Sequence, residues 1–292
     1  MTRAPDRDVE PMDLAGKVCV ITGATSGIGK VAAEQLAGMG ARMVVVARDP
    51  ARGQALLARL SAEVPNLAHS LHIADLSRIR EVRRVAADIA AAEPRIDILI
   101  NNAGALYSSR KLTEDGLERH FATNHMAYVL LTHGLRERLF ASAAARVINT
   151  ASEAHRSAHL EFDDLQFAKG FNGVTAYNRS KLCNILYTRE LARRWAGTGV
   201  TVNCFHPGFV ATRFGDEAGG WLAVAVWIAK RFAISPEDGA RTVVYLAGSP
   251  EVTDVSGGYF VKNRPTAPSA AAADDAAARR LWAETARLTE LE

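Results

Sequence analysis

Val18-Cys19-Val20-Ile21-Thr22-Gly23-Ala24-Thr25-Ser26-Gly27-Ile28-Gly29 runs from an apolar, β-branched stretch straight into three closely spaced glycines. A helical pattern follows from Ile28 to Met39. Residues without a Cβ let a backbone approach a pyrophosphate closely, and the first turn of a helix offers free N–H groups and a favourable dipole. The spacing is GxxxGxG, not the GxGxxG usual in dinucleotide folds, and no Gly-Lys-Ser/Thr follows to make a P-loop. Taken alone, the stretch reads either as a phosphate cradle or as a plain tight connection between strand and helix.

The chain around it keeps the same rhythm. Apolar runs at Arg42 to Ala47, His69 to Ala74, Ile96 to Ile100, Arg146 to Thr150, Val200 to Phe205 and Thr253 to Val261 alternate with helical stretches. Runs that are apolar throughout suit a sheet buried on both faces, and intervening helices imply parallel crossovers. The expected fold is α/β, a doubly wound, Rossmann-like parallel sheet of about seven strands with helices on both faces. With no linker, repeat or charge block, residues 14–292 read as one domain. Residues 1–13 read as a flexible tail, about 213–235 as a substrate lid, and about 270–291 as a C-terminal helix packing Leu281, Trp282 and Leu288 on the body.

Composition narrows the function classes. The chain has 292 residues, 48% hydrophobic and 23% charged, as a folded globular protein should. Its net charge of +3, with no basic run interleaved with aromatics, gives no footprint for nucleic acid. Cys19, Cys183 and Cys204 have no metal-ligand spacing and read as buried thiols in a reducing compartment. No metal is expected. The first ten residues lack a signal peptide's apolar core, and the longest apolar stretch, Trp221 to Ala229, is too short to span a bilayer. A cytoplasmic location is expected.

The second strand ends Val46-Ala47-Arg48-Asp49. An acid here would bond the ribose hydroxyls of NAD(H) and repel a 2′-phosphate. Ala47 stands at the acid's place, and the Arg48 guanidinium can clamp a phosphate, which favours NADP(H). The Asp49 carboxylate either turns towards a ribose or caps the next helix.

Tyr177 and Lys181 are four residues apart in a helical stretch, Ala176 to Trp195, so both side chains share one face. A nearby ammonium would favour the phenolate and lower the phenol's pKa towards use as an acid/base. The pair is common by chance. Its weight comes from occurring with Thr22 to Gly29, Asn101-Asn102-Ala103-Gly104, Ser152 and His206-Pro207-Gly208, each at a strand end or a helix start. Together these motifs resemble the short-chain dehydrogenase/reductase family from about Asp13 to Pro265. Thr123-Asn124-His125, Ser180-Lys181-Leu182-Cys183-Asn184, Arg189-Glu190-Leu191-Ala192-Arg193 and Leu281-Trp282 are most similar to the branch holding retinol dehydrogenases and the WW-domain oxidoreductase.

The resemblance implies a hydride transfer between NADP(H) and a small-molecule carbonyl or alcohol, lipophilic in that branch. Tyr177 would be the general acid/base, Lys181 would lower its pKa and hold the nicotinamide ribose, and Ser152 would bond the substrate oxygen. Asn124 would hold a water linking Lys181 to solvent. Gly23, Thr25, Ser26, Gly27, Ile28 and Gly29 would line the pyrophosphate, and Arg48 the 2′-phosphate. Asp75 and Leu76 would flank the adenine, and Asn102, Ala103 and Gly104 the adjacent ribose. Pro207, Gly208, Val210 and Thr212 would hold the nicotinamide end. Ser26 stands where many NADP-preferring members carry a basic residue, which leaves NAD(H) use open. The same resemblance suggests a homodimer or homotetramer paired through the long helices flanking Ser152.

Other features carry less. His155 and His159 lie near Ser152, but without a Gly-x-Ser-x-Gly elbow they do not make a hydrolase; a solvated loop is preferred for them over a substrate contact. His120 and His125 match no metal signature, and His206 reads as a loop buttress. Trp221 to Ala229 reads as a core helix, a lid over a lipophilic substrate or a peripheral membrane contact. Two rival functions remain, a nucleotide-sugar epimerase, whose GxxGxxG does not fit Gly23, Gly27 and Gly29, and a cofactor-sensing binding module without catalysis.

Overall fold

The computed structural model describes residues 12–208 and 234–289. Val210, Thr212, the lid with Trp221 to Ala229, and most of the N-terminal tail lie outside the described residues. The strands β1 (Val18–Thr22), β2 (Arg42–Ala47), β3 (Ser70–Ile73), β4 (Ile98–Asn101), β5 (Arg146–Thr150), β6 (Thr201–His206), β7 (Tyr259–Val261) and β8 (Arg264–Pro265) form one sheet. Their order is β3-β2-β1-β4-β5-β6-β7-β8, parallel except for β8. The order reverses between β1 and β4, and in open α/β sheets ligands bind beyond the strand carboxyl ends at such a point.

The unbroken apolar runs have a direct explanation. Cys19 and Ile21 of β1, with Met43 and Val45 of β2, face one core; Val20, Val44 and Val46 face the other. The first core is closed by α1 (Gly27–Gly38), α2 (Pro50–Glu63) and α8 (Pro236–Gly248). The second is closed by α3 (Ile79–Ala92), α5 (Ala127–Gly134) and α7 (Gly173–Arg194). Strand residues alternate between two dry faces, so neither register tolerates a polar side chain without a partner. Each fully buried Val or Ile contributes about 1.5–3 kcal/mol.

Helix α5 is preceded by a short α4 (Arg119–Phe121) and one π turn, Ala122–Met126, and is followed by α6 (Arg136–Phe140). Four of the polar side chains in the core are linked to one another. Asn101 Nδ2 donates to Asn149 Oδ1 at 2.9 Å and to Thr132 Oγ1 at 3.0 Å, and Asn149 Nδ2 donates to Thr188 Oγ1 at 3.0 Å. This buried chain ties β4, β5, α5 and α7 at the strand ends where the expected site lies.

Two details differ from the sequence expectation. The run read as Thr253 to Val261 is a strand only over Tyr259–Val261, because Pro250–Val252 forms a 3-10 turn and Gly257 reverses the chain at φ +81. An eighth strand, β8, follows a turn in which Lys262 and Asn263 both take positive φ, 49 and 61. That geometry normally selects Asn-Gly or Asp-Gly, so the Lys-Asn pair gives no hairpin signal. Near the C-terminus a short α9 (Ala270–Ala273) is separated from α10 (Asp275–Thr289) by Asp274, whose Oδ1 accepts the N–H groups of Ala276 and Ala277 at 2.8 and 3.0 Å. Trp282 of α10 stacks on Tyr187 of α7 at 5.9 Å and also meets His133 of α5.

Candidate active site

The glycine turn closes against the end of β4. A Cβ on Gly29 would lie 2.4 Å from Gly23 O and 2.5 Å from Asn102 Nδ2, and one on Gly23 would lie 2.7 Å from Ala103 Cα. Asn102 Nδ2 donates to Thr22 O and Gly23 O, while the Asn102 and Ala103 N–H groups donate to Thr22 Oγ1. The turn and the Asn102-Ala103-Gly104 segment are therefore one rigid unit. Ser26 begins α1 without capping it through its side chain, which leaves the first-turn N–H groups to another acceptor. Thr25, Ser26, Gly27 and Ile28 are half-buried around this opening. A cradle that only glycine permits, at an uncapped helix start, fits the pyrophosphate of a dinucleotide.

Arg48 is exposed at the end of β2. Asp49 caps α2, its Oδ1 accepting Arg52 N–H at 3.1 Å and its Oδ2 pairing with Arg52 Nε at 3.4 Å, so of the two readings open for it the helix cap is the one seen. Beyond β3, Asp75 Oδ1 accepts from the Ser77 backbone and hydroxyl, and Leu76 is buried against the second core.

Ser152, Tyr177 and Lys181 converge beyond β5. Ser152 Oγ accepts Ala154 N–H at 3.2 Å and hydrogen-bonds the Tyr177 phenol. Lys181 is buried, donates from Nζ to Thr150 O at 3.0 Å, and lies 5.7 Å from the Tyr177 ring centroid. Gly104 faces both Lys181 and Asn124; a Cβ there would stand 3.5 Å from Lys181 Nζ and 3.3 Å from Asn124 Oδ1.

Burial dominates the electrostatics of both titrating groups. Burial pushes the Tyr177 phenol up to about 12, and the Ser152 hydrogen bond only partly opposes this. Burial also brings Lys181 down to about 7. Desolvation, which disfavours the charged form of each group, is the largest influence on both.

Asn124 sits in the π turn, where its Oδ1 accepts Ala105 N–H at 2.8 Å and its Nδ2 donates to Ala105 O and Ser180 Oγ, both at 3.0 Å. The extra residue of such a turn re-aims side chains locally. The Asn124 carbonyl accepts Asn184 Nδ2 at 2.9 Å, and Asn184 Nδ2 also reaches Thr150 O at 3.1 Å. A water bridging Asn124 to Lys181 would use that carbonyl's second lone pair. Pro207 and Gly208 follow β6 at the same sheet edge, with Gly208 at φ +89.

Sequence reading overlooked several contributors. Tyr128 donates to Ala103 O at 2.9 Å, with its ring 5.8 Å from Lys181 Nζ; its position four residues after Asn124 was the available signal. Asn184 lies in a quoted motif and Thr150 ends a strand run, but nothing local announces their contacts, which depend on which strand lies beside α7. His120 and His125 are both fully buried; His120 pairs with Glu118 at 2.8 Å and His125 with Asn184 at 3.2 Å. No group of three or more metal-ligating side chains occurs among the described residues. No helix there is long and apolar enough to cross a membrane.

Comparison with known proteins agrees with this geometry. The short chain dehydrogenase family model matches residues 17–222. Human retinol dehydrogenase 13 is 41% identical over 288 residues, spanning 96% of this chain and 86% of that protein. A Mycobacterium paratuberculosis crystal structure superposes with a TM-score of 0.78 at 30% identity, covering 98% of this chain and 97% of that one. The NADP complex of Pseudomonas aeruginosa RhlG superposes at 0.68 with 28% identity, covering 85% and 95%.

Proposed function

The chain belongs to the short chain dehydrogenase family and is an oxidoreductase, and from that premise we propose that it moves hydride between NADP(H) and a lipophilic carbonyl or alcohol, with Tyr177 as its acid/base. The observation that carries this reading is the convergence of the Ser152 hydroxyl, the Tyr177 phenol and the Lys181 ammonium beside Gly104. We read 14–292 as one domain carrying both cofactor binding and chemistry, a reading supported by the single sheet that the described strands form.

When bound, the nicotinamide supplies or takes up the hydride. Gly23, Thr25, Ser26, Gly27, Ile28 and Gly29 hold the pyrophosphate, Arg48 the 2′-phosphate, Asp75 and Leu76 the adenine. Asn102, Ala103, Gly104 and Lys181 hold ribose, and Pro207 and Gly208, with Val210 and Thr212 beyond the described residues, hold the nicotinamide end. Ser152 donates to the substrate oxygen as negative charge builds there, and Tyr177 delivers its phenolic proton to that oxygen. A phenol held at about 12 is fully protonated near neutrality, which suits reduction of a carbonyl. Oxidation needs the phenolate and is favoured as pH rises.

The retinol dehydrogenase likeness makes long, apolar aldehydes such as retinaldehyde the first substrates to try. Purified protein given NADPH should consume it faster as the aldehyde's apolar length increases. Turnover confined to nucleotide sugars, or NADPH binding with no turnover of any aldehyde, would overturn the proposal. Arg48→Ala should raise KM for NADPH about 10- to 100-fold, the worth of one charge-assisted contact, with little change for NADH. Equal losses for both cofactors would remove Arg48 from the 2′-phosphate site. We place the protein in the cytoplasm, a reading supported by its three buried, free cysteines. Pairing of copies through α5 and α7 would have to use the length that α10 leaves open, since Trp282 already stacks on Tyr187.

A further inference from the structure

The turn that presents Ser152 is tied to a segment far away in sequence. Ser152 has an extended backbone, φ −163 and ψ 151, and caps a 3-10 turn, Glu153–Ser157. Its carbonyl accepts His155 N–H at 3.1 Å and lies 2.6 Å from His155 Nδ1. A carbonyl only accepts, so Nδ1 carries the hydrogen. Nε2 of the same ring lies 3.0 Å from the backbone nitrogen of Ser269, which only donates, so Nε2 is the acceptor. The two contacts select one neutral tautomer and use both ring nitrogens.

His155 is fully buried, edge-on to the Tyr259 ring at 5.1 Å. The charged and titratable groups around it are Glu153, Arg156, Tyr259 and His206, and burial is the main reason its imidazole is held below the ordinary range. The turn is fastened on other sides too. Tyr259 Oη donates to Glu153 Oε1 at 2.6 Å, Glu153 N–H donates to His206 Nδ1 at 3.2 Å, and Arg156 Nη2 donates to Ala267 O at 3.0 Å.

We propose that His155 is a positioning residue, clamping the Ser152 carbonyl to the Ser269 N–H so that the Ser152 hydroxyl stays aimed at Tyr177. The proposal rests on the reading of Ser152 and Tyr177 given above. Ser152 Oγ accepts Ala154 N–H from inside the same turn, which leaves its own hydrogen free to face the phenol and, once substrate is bound, the substrate oxygen. A five-residue 3-10 turn has too few internal bonds to hold that geometry by itself. The clamp supplies an outside anchor, and the C-terminal segment thereby becomes part of the site's architecture.

Four variants test it. His155→Leu removes both contacts, while His155→Asn keeps an N–H able to reach the Ser152 carbonyl. Ser269→Pro deletes only the backbone donor and the cap hydroxyl, since the native φ of −66 is one proline adopts. Ser269→Ala loses the same hydroxyl but keeps the N–H. His155→Leu and Ser269→Pro should lower kcat about 10- to 100-fold with KM for NADPH unchanged. Both should also move the alkaline limb of alcohol oxidation to higher pH, because the Ser152 hydrogen bond favours the phenolate. Ser269→Ala should keep most of kcat and the wild-type limb, whereas His155→Asn, which holds the Ser152 carbonyl but releases the Ser269 N–H, should fall with Ser269→Pro. If His155→Leu and Ser269→Pro lose activity only in proportion to the unfolded fraction in a thermal melt, with the limb unmoved, His155 merely packs the core and the proposal fails. Turnover surviving in Tyr177→Phe would sink the underlying reading instead.

Discussion

Tyr177→Phe is expected to lower turnover about 10²- to 10⁴-fold while leaving NADPH affinity unchanged. The substitution removes one oxygen and keeps the ring. Lys181 retains its bond to Thr150 O, and the glycine cradle with Asn102 is untouched. On the proposed reading, the lost oxygen delivers the proton to the substrate, and it is the atom whose ionised form Ser152 favours. Steady-state kinetics with a long-chain aldehyde would measure the first effect, and quenching of protein fluorescence by NADPH the second. Retained turnover would end the assignment of Tyr177. Loss of NADPH binding in the same variant would mean that the phenol serves the cofactor rather than the substrate.

Gly29→Ala should weaken NADPH binding by about a hundredfold, the cost of losing two charge-assisted backbone contacts to phosphate. It should also cost about 1–3 kcal/mol of stability through overpacking. The new methyl would sit 2.4 Å from Gly23 O, a backbone atom that Asn102 also holds, so nothing nearby can yield cheaply. Gly38→Ala is the matched control within the same helix. No atom lies within 4 Å of its built Cβ, so the protein should keep its cofactor affinity and melt no lower. Calorimetric titration and thermal denaturation separate the two effects. Unchanged NADPH affinity in Gly29→Ala would show that the turn is only a connection.

The difference between what was readable and what was not follows the range of the interaction. Cys19 and Ile21 alternate with Val20 between two cores, and that two-sided burial is written into the run as continuous apolar character. Tyr177 and Lys181 share a helix face because the α-helical period is 3.6 residues. Asp49 could be narrowed only to two roles, since a cap and a ribose ligand ask for the same carboxylate; the structure has it capping α2. His155 looked like part of a solvated loop because its neighbours Glu153, Arg156 and Ser157 are polar. Its partner Ser269 lies 114 residues away, and no local pattern announces it. The Lys262-Asn263 turn was missed because Lys262 has no preference for positive φ and no Asn-Gly or Asp-Gly pair marks the hairpin.

By itself, then, the sequence determined the doubly wound sheet, the glycine turn at the start of α1 and the Tyr177–Lys181 spacing. Each depends on local periodicity or on conformational limits that belong to single residues. Only the tertiary structure decided how Ser152 is held, which carbonyl receives Lys181, and how far burial moves the two titrating groups. Those outcomes depend on β5 lying between β4 and β6, which brings together side chains that the chain itself keeps far apart. They also depend on desolvation, which exists only once the core has closed around them.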